Sequence, residues 1–459
     1  MKNYLMRAAA SPFENPEHID AISKNLINGN TGNLVFTHSI SRALMLEDVN
    51  IDYMKTDHFL SEEEAEKINS RYDCFIIPLA NALRPDFVHE LRYLTDMVSR
   101  LDMPCIVIGI GFQGKIDSTM NQSYPWDDAS RRFISAVLEK SSVVGLRGEM
   151  TAKYLEHLGF EREHDFTVIG CPSMYLYGED LPHPKPLDLS PGSRINLNCK
   201  VVLPQKIHDY MHGICEMIPD HYYIPQNTYE LKTVYSGIPL KYTKKLNSIP
   251  EHYPMDMTHR LYKENRICGF VSAESWMKFL AKGDMNFGTR IHGNIAGILA
   301  GVPVFVVAPD SRVLELSEYH NIPHTTIGEL DTDRNIFELT QDIDYDQIQT
   351  GHKERFRHYL KFMNDNGLDT IFNKEVKRIP FDEKISDIDF LGPIMSFDTF
   401  SSERQIKAMH IWTEELDKVS SERDKLRSRN EKLRYEVRHP AKMIIRYGMK
   451  KIKGTKEKS

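Results

Sequence analysis

The sequence predicts an α/β protein in two halves, each a parallel sheet covered by helices, followed by a long C-terminal helix. Three observations carry this. Short apolar runs rich in β-branched residues alternate with helical patterns along most of the chain. A proline-rich stretch, "YGEDLPHPKPLDLSPGS" at 177–193, interrupts that alternation, which then restarts. From Met409 the apolar spacing changes to 3, 4, 3, 4, the signature of a coiled-coil seam.

In residues 1–180 the candidate strands are "LVF" (34–36), "DCFIIPL" (73–79), "CIVIGIGF" (105–112), "SVVGL" (142–146) and "FTVIGCP" (166–172). Helix-like stretches at 61–70, 86–101 and 149–159 lie between them. Strands that are apolar on both faces belong to a parallel sheet covered by helices on both sides. Residues 181–193 read as the linker. In residues 194–335 the expected strands are 195–202, 221–226, 267–271, 283–288 and 303–308, with a helix near 205–217. Residues 336–401 form a helical closing segment, whose pattern near 346–365 suits packing back across the first half.

Over 402–437, Trp412, Val419, Leu426 and Leu433 occupy d positions, and Met409, Leu416, Arg423, Asn430 and Val437 occupy a positions. An Asn at an a position commonly fixes register in a parallel dimer, so a homodimer through this segment is expected. The plainer alternative is one solvated helix packing on its own domain. Residues 438–459 are a basic tail in which Met443, Ile444, Ile445 and Tyr447 sit among Lys and Arg. That pattern suits an anionic membrane surface, or else simply solubilises the chain.

The chain's net charge is −7, and the tail alone carries +7, which leaves −14 on residues 1–437. An acidic body is a poor nucleic-acid partner. No run approaches the roughly 18–20 apolar residues that span a bilayer. The N-terminus reads as neither signal peptide nor anchor. The six cysteines are scattered without a CxxC pair, as buried hydrophobes in a reducing cytoplasm would be. The expected location is therefore cytoplasmic, peripheral on the inner face of the plasma membrane if the tail engages lipid.

Chemistry concentrates in "NFGTRIHGNIAGILAGVP", 286–303. Here a strand ends near Gly288 and a helix begins near His292, its small-residue face (Ala296, Gly297, Ala300, Gly301) able to approach the sheet closely. Arg290 and His292 thus fall where open α/β sheets bind ligands and where a helix amino end favours an anion. Arg290 offers a fork of donors for phosphate or carboxylate, and His292 can exchange a proton near neutrality. A capping His and a surface Arg are the bland alternative. The first half repeats the device in "SSVVGLRGEMTAKYLEHLGF", where Arg147 follows a strand and precedes a helix. One arginine from each half can clamp a small polyanion. Glycine turns at "NGNTGN" (28–33) and "GIGFQG" (109–114) can each bring backbone close to a ligand. The second matches G-x-G-x-x-G, but "KIDSTMNQSYPWDD" after it reads as a loop, against a dinucleotide site. The Walker, HExxH and GxSxG patterns and clustered metal ligands are absent.

These residues resemble the polysaccharide pyruvyl transferase family in "NTGN" (30–33), "LRGEM" (146–150), "GCPS" (170–173) and "TRIHGNIAGILAGVP" (289–303), over roughly residues 25–330. The resemblance implies two Rossmann-like domains in a GT-B-like arrangement, ahead of the C-terminal coiled-coil helix. It implies transfer of a pyruvate ketal from phosphoenolpyruvate to a sugar hydroxyl pair on a surface polysaccharide or its lipid-linked precursor. Arg147 and Arg290 then match donor-binding arginines and His292 the catalytic histidine, as acid or base, with no cofactor or metal required. For the saccharide acceptor, Asn196, Asn198, Gln226 and Asn227 end strands facing the same cleft. A GT-B nucleotide-sugar glycosyltransferase and a non-catalytic glycan-assembly scaffold are the competing readings.

Overall fold

In a computed structural model, residues 1–116, 122–240, 248–396 and 401–438 are described. The first half supplies β1 (Lys2–Arg7), β2 (Val49–Met54), β3 (Cys74–Pro78), β4 (Cys105–Ile110), β5 (Val144–Leu146) and β6 (Phe166–Val168). They form one sheet in the order β2-β1-β3-β4-β5-β6, parallel throughout. β3 and β4 are buried along their whole length, which is why they read as unbroken apolar runs.

The second half supplies β7 (Arg194–Asn198), β8 (Asp220–Tyr223), the two-residue β9 (Cys268–Gly269), β10 (Met285–Gly288), β11 (Val304–Ala308) and β12 (His324–Thr326). Five of these make a parallel sheet ordered β12-β11-β10-β7-β8. β9 instead pairs antiparallel with β13 (Ile394–Met395). Each sheet reverses direction once: from β1 the chain goes to β2 on one side and later to β3 on the other, and likewise from β7 to β8 and then β10. The crevices beyond the carboxyl ends of β1/β3 and β7/β10 are therefore the places where such folds bind ligands.

Several expectations need correction. "LVF" (34–36) is not a strand but the start of a helix, Gly32–Leu44, which buries Val35, Phe36, Ile40, Ala43 and Leu44. A helix this enclosed shows no polar face, so a short apolar run within it mimics a strand. β1 and β2 were not anticipated, because Lys2, Asn3 and Arg7 in "KNYLMR" and Asn50 and Asp52 in "VNIDYM" break up the apolar runs that mark β3 and β4. The expected strand at 267–271 shrinks to the two residues of β9, outside the main sheet.

A continuous hydrophobic cluster joins Met6, Phe36, Ile76 and Ile108 to Trp276, Ile295, Val306 and Leu316, so both sheets share it. Phe356, Tyr359 and Phe362 of the helix His352–Asp365 join the same cluster. His358 Nε2 lies 2.6 Å from Thr167 Oγ1, and Asn366 Nδ2 donates to the Val143 carbonyl at 3.1 Å, pinning this helix to the first sheet. Cutting Phe36 or Phe362 to Ala would cost about 3–5 kcal/mol through lost burial and a residual cavity. Residues 1–400 make one compact unit and 401–459 a second.

The second unit's described part is a helix, Ser402–Arg438. Met409, Trp412, Leu416, Val419, Leu426 and Leu433 are all exposed along it. The basic tail from 439 lies outside the described residues. Among the described residues no helix is long and apolar enough to cross a membrane.

Candidate active site

The helix Ile291–Leu299 begins directly beyond β10, with Arg290 as its N-cap and no side chain capping its amino end. Asn198 at the end of β7 fixes this turn: its Oδ1 accepts from the Arg290 amide at 2.8 Å. His292, on the first turn, is almost fully enclosed. The helix Gly32–Leu44 presses its first residue against the imidazole, since a Cβ on Gly32 would stand 2.7 Å from both His292 Cβ and Nδ1. The glycine of "NTGN" therefore makes room for the histidine. On the other side of the ring, Nε2 lies 3.7 Å from Cys171 Sγ, in the "GCPS" strand end. Burial raises the Cys171 pKa, so the neighbour is a thiol rather than a thiolate. Burial, then Arg147 and Arg312, push the His292 pKa well below its usual value, so the resting imidazole is neutral.

Arg147 follows β5, and its amide donates to the Ile110 carbonyl at 3.0 Å. Its side chain runs beneath Gly111, where a Cβ would come within 2.6 Å of Arg147 Cδ; this is the close approach that the "GIGFQG" turn serves. The guanidinium is fully buried, and Nε, Nη1 and Nη2 all lack hydrogen-bond partners. Burial lowers its pKa to about 10, which still leaves it charged at neutrality. Arg290 is held differently. Its Nη2 lies 3.2 Å from both carboxylate oxygens of Glu230, and its Nε 3.3 Å from the Cys199 carbonyl. Glu230 has no exposed surface and also accepts from Tyr253 Oη. Burial works against the Arg290 charge, but Glu230 outweighs it and keeps the guanidinium protonated.

A cavity of about 470 Å3 opens over Arg290 and His292, whereas Arg147 lies fully buried behind the histidine and does not line it. Arg290, His292, Lys200, Arg312 and Arg84 line it with Gln226, Asn227, Asn30 and Asn33. Lys200 pairs with Asp310, and burial lowers its pKa to about 8. Arg312 Nε is buried without a hydrogen-bond partner and lies 3.7 Å from Asp310 Oδ1. Asp310 caps the helix Ser311–Tyr319 through Val313. Burial opposes its charge, but Arg312 and Lys200 hold its pKa down to about 2.

The four acceptor candidates separate. Gln226 and Asn227 line the cavity, and Gln226 Nε2 is buried without a partner. Asn196 does not reach the cavity; its Nδ2 donates to Asn286 Oδ1 at 2.8 Å between neighbouring strands. Asn198 is likewise turned inward, spent on the Arg290 amide. In a period-2 strand, both fall on the side that packs beneath the helix Ile291–Leu299 rather than at the rim. Sequence reasoning missed Cys171, Lys200, Glu230 and Arg312. Arg312 had a usable signal: it follows β11 at a third strand-to-helix corner, in "VVAPDSR". Glu230 had none, since its partner is 60 residues away.

Fold and site together define an α/β enzyme whose ligand cavity gathers cationic side chains around a neutral, enclosed histidine. A family model for polysaccharide pyruvyl transferase matches residues 26–311, and the chain belongs to that family. It is accordingly a transferase of polysaccharide modification, acting on a saccharide acceptor. Comparison with curated proteins finds no match. Similar solved structures include the UDP-GlcNAc 2-epimerase of Methanocaldococcus jannaschii in complex with UDP-GlcNAc and UDP, at 12% identity and a TM-score of 0.41, covering 79% of this chain and 99% of that one. The UDP-GlcNAc 2-epimerase of Neisseria meningitidis bound to UDP-GlcNAc is similar at 10% identity and a TM-score of 0.40, covering 80% and 100%. HepE of Anabaena in complex with UDP is similar at 13% and 0.40, covering 84% and 100%. These likenesses are too distant to bear on the reaction.

Proposed function

We propose that this protein transfers a pyruvate ketal from phosphoenolpyruvate to two hydroxyls of a saccharide, releasing inorganic phosphate. The observation that carries the reading is Arg147: a fully buried guanidinium with three unpartnered nitrogens, close enough to His292 to depress its pKa. A buried cation whose nitrogens make no hydrogen bond is costly even with Glu315 and Asp310 near enough to act on it, and an incoming anion lowers that cost. Phosphoenolpyruvate brings both a phosphate and a carboxylate. Arg147, with Arg312 and Lys200 that share Asp310, suits one anionic group, and Arg290 suits the other.

Neutral His292 is suited to begin as a base. It takes the proton of the first sugar hydroxyl as that oxygen bonds to the central enol carbon, and the double-bond electrons move to the methylene carbon. The same imidazolium then gives its proton to that carbon, making the methyl group. The second hydroxyl attacks the same centre, the carbon–oxygen bond to phosphate breaks, and the second proton leaves with the phosphate. The arginines stabilise the departing charge. Gln226, with its free amide hydrogens, is suited to a sugar oxygen. The scheme draws on no metal or cofactor.

Calorimetry with phosphoenolpyruvate and, separately, a nucleoside diphosphate tests the reading. Saturable phosphoenolpyruvate binding that Arg147→Met removes is expected; binding of the nucleotide alone would transfer the assignment to a glycosyltransferase. For assembly, the exposed heptad stripe on Ser402–Arg438 supports pairing with a second copy through 402–437. Sedimentation of the full chain should show a dimer that Leu416→Glu with Leu426→Glu converts to monomer; an unchanged dimer would rule the stripe out. The basic tail remains suited to an anionic membrane, where a lipid-linked acceptor would be found.

A further inference from the structure

A second cavity, of about 360 Å3, lies at the carboxyl end of the first sheet and shares Asn28, Asn33, Ala80, Asn81 and Arg84 with the cavity over His292. It occupies the β1/β3 crevice, the first sheet's own switch point, and the donor reading makes no use of it. Two guanidiniums meet there. Arg7, the last residue of β1, donates from Nε to Thr56 Oγ1 at 2.8 Å and from Nη1 to the Pro78 carbonyl at 3.3 Å, so it bridges the crevice. Arg84, in the loop after β3, donates from Nη1 to Gln113 Oε1 at 3.3 Å, while its buried Nε has no partner. Both flank the Phe87 ring, at 5.9 and 5.5 Å from its centroid.

The acceptors that hold these two cations are thus neutral oxygens. Burial lowers both pKa values, Arg7's to about 10, and each remains charged at neutrality. Asp86 acts on Arg84, Glu90 acts on both, and Glu90 Oε2 is itself buried and without a hydrogen-bond partner. Lys55, at the rim, is already engaged with Asp57. A pair of guanidiniums tethered by neutral groups, beside a carboxylate oxygen free to accept from a hydroxyl, is a receptor for an anion attached to a sugar.

We propose that this cavity seats the acceptor, and that the acceptor carries an anionic group, phosphate or carboxylate, held between Arg7 and Arg84 with Glu90 accepting from a neighbouring sugar hydroxyl. The assignment rests on the ketal-transfer reading in one respect: the shared wall puts this sugar within reach of His292. Anion binding itself does not depend on that reading.

The test is calorimetry on the full chain with inorganic pyrophosphate and, separately, glucuronate, each with and without saturating phosphoenolpyruvate. At least one anion should bind in the presence of phosphoenolpyruvate and weaken about tenfold or more in Arg7→Gln, with phosphoenolpyruvate affinity unchanged. Should Arg7→Gln fold poorly, Arg84→Gln serves as a second variant read on anion binding alone, because Arg84 also lines the cavity over His292. Binding of pyrophosphate marks a phosphate-bearing acceptor, and binding of glucuronate alone marks an acidic sugar. Binding of neither, binding abolished by phosphoenolpyruvate, or binding indifferent to both substitutions overturns the proposal. If phosphoenolpyruvate fails to bind while pyrophosphate binding still depends on Arg7, the anion seat stands and ketal transfer falls.

Discussion

Arg147 and Arg290 occupy equivalent places, each one or two residues beyond the carboxyl end of a parallel strand and just ahead of a helix. Their surroundings differ in the one respect that matters for function. Arg290 is matched by Glu230, an unexposed carboxylate that also holds Tyr253, so its charge is neutralised before any ligand arrives. Arg147 has no hydrogen-bond partner for any of its three nitrogens. Glu315, close enough to act on Arg147, is instead spent on the Thr151 amide and hydroxyl, and burial raises its pKa to about 7. The same residue type at the same structural corner is thus held by a carboxylate in one half and left without a hydrogen-bond partner in the other. Removing the paired arginine strands a buried carboxylate and costs stability; removing the unpartnered one strands nothing.

Four measurements bear on that contrast. The largest effect is expected from the histidine that both corners serve: His292→Ala should lower turnover about 10²–10⁴-fold with the circular dichroism spectrum unchanged. Near-normal turnover would remove proton transfer from the scheme. Next, Arg290→Ala should destabilise the fold by about 3–5 kcal/mol in urea titrations, because it strands the Glu230 charge in the interior. Adding Glu230→Gln should recover part of the loss; no recovery would mean that the stranded charge is not its cause.

Arg147→Met should do the opposite, leaving stability equal or higher while phosphoenolpyruvate affinity falls about 10–100-fold. A large stability loss with intact binding would reverse the roles assigned to the two arginines. The smallest effect is a pH shift. A depressed histidine pKa means that the folded protein binds fewer protons than the unfolded chain below about pH 6.5. The acid limb of kcat/KM for the donor therefore lies well under that value. Arg312→Gln removes a positive charge acting on His292 and should move the limb upward by about one unit or less. A shift downward, or none, would show that Arg312 does not act on the imidazole.

Much of the fold was legible locally. The helix expected at 205–217 is found over Gln205–Met217, because an amphipathic stripe writes its period into adjacent residues. β3, β4 and β11 were visible as unbroken apolar runs for the complementary reason. The helix Gly32–Leu44 was misread since full enclosure erases the stripe. β1 was overlooked since central position in a sheet is a property of its neighbours and not of "KNYLMR". At the site, His292 and the corner arginines could be picked out by their position between strand and helix. Asn196 and Asn198 were placed at the cleft by the same rule and proved to face inward, a matter of strand phase and of which helix covers them.

The sequence by itself determined the alternation of strands and helices, the heptad stripe beyond Met409, and the three chemically telling residues at the corners. All of these are written in spacings of a few residues. Only the tertiary structure decided that Glu230 pairs with Arg290 while no group hydrogen-bonds Arg147, that Cys171 and Gly32 enclose His292, and that Arg7 meets Arg84 across a crevice. Burial and charge pairing depend on contacts between segments tens to hundreds of residues apart, and desolvation turns those contacts into pKa shifts.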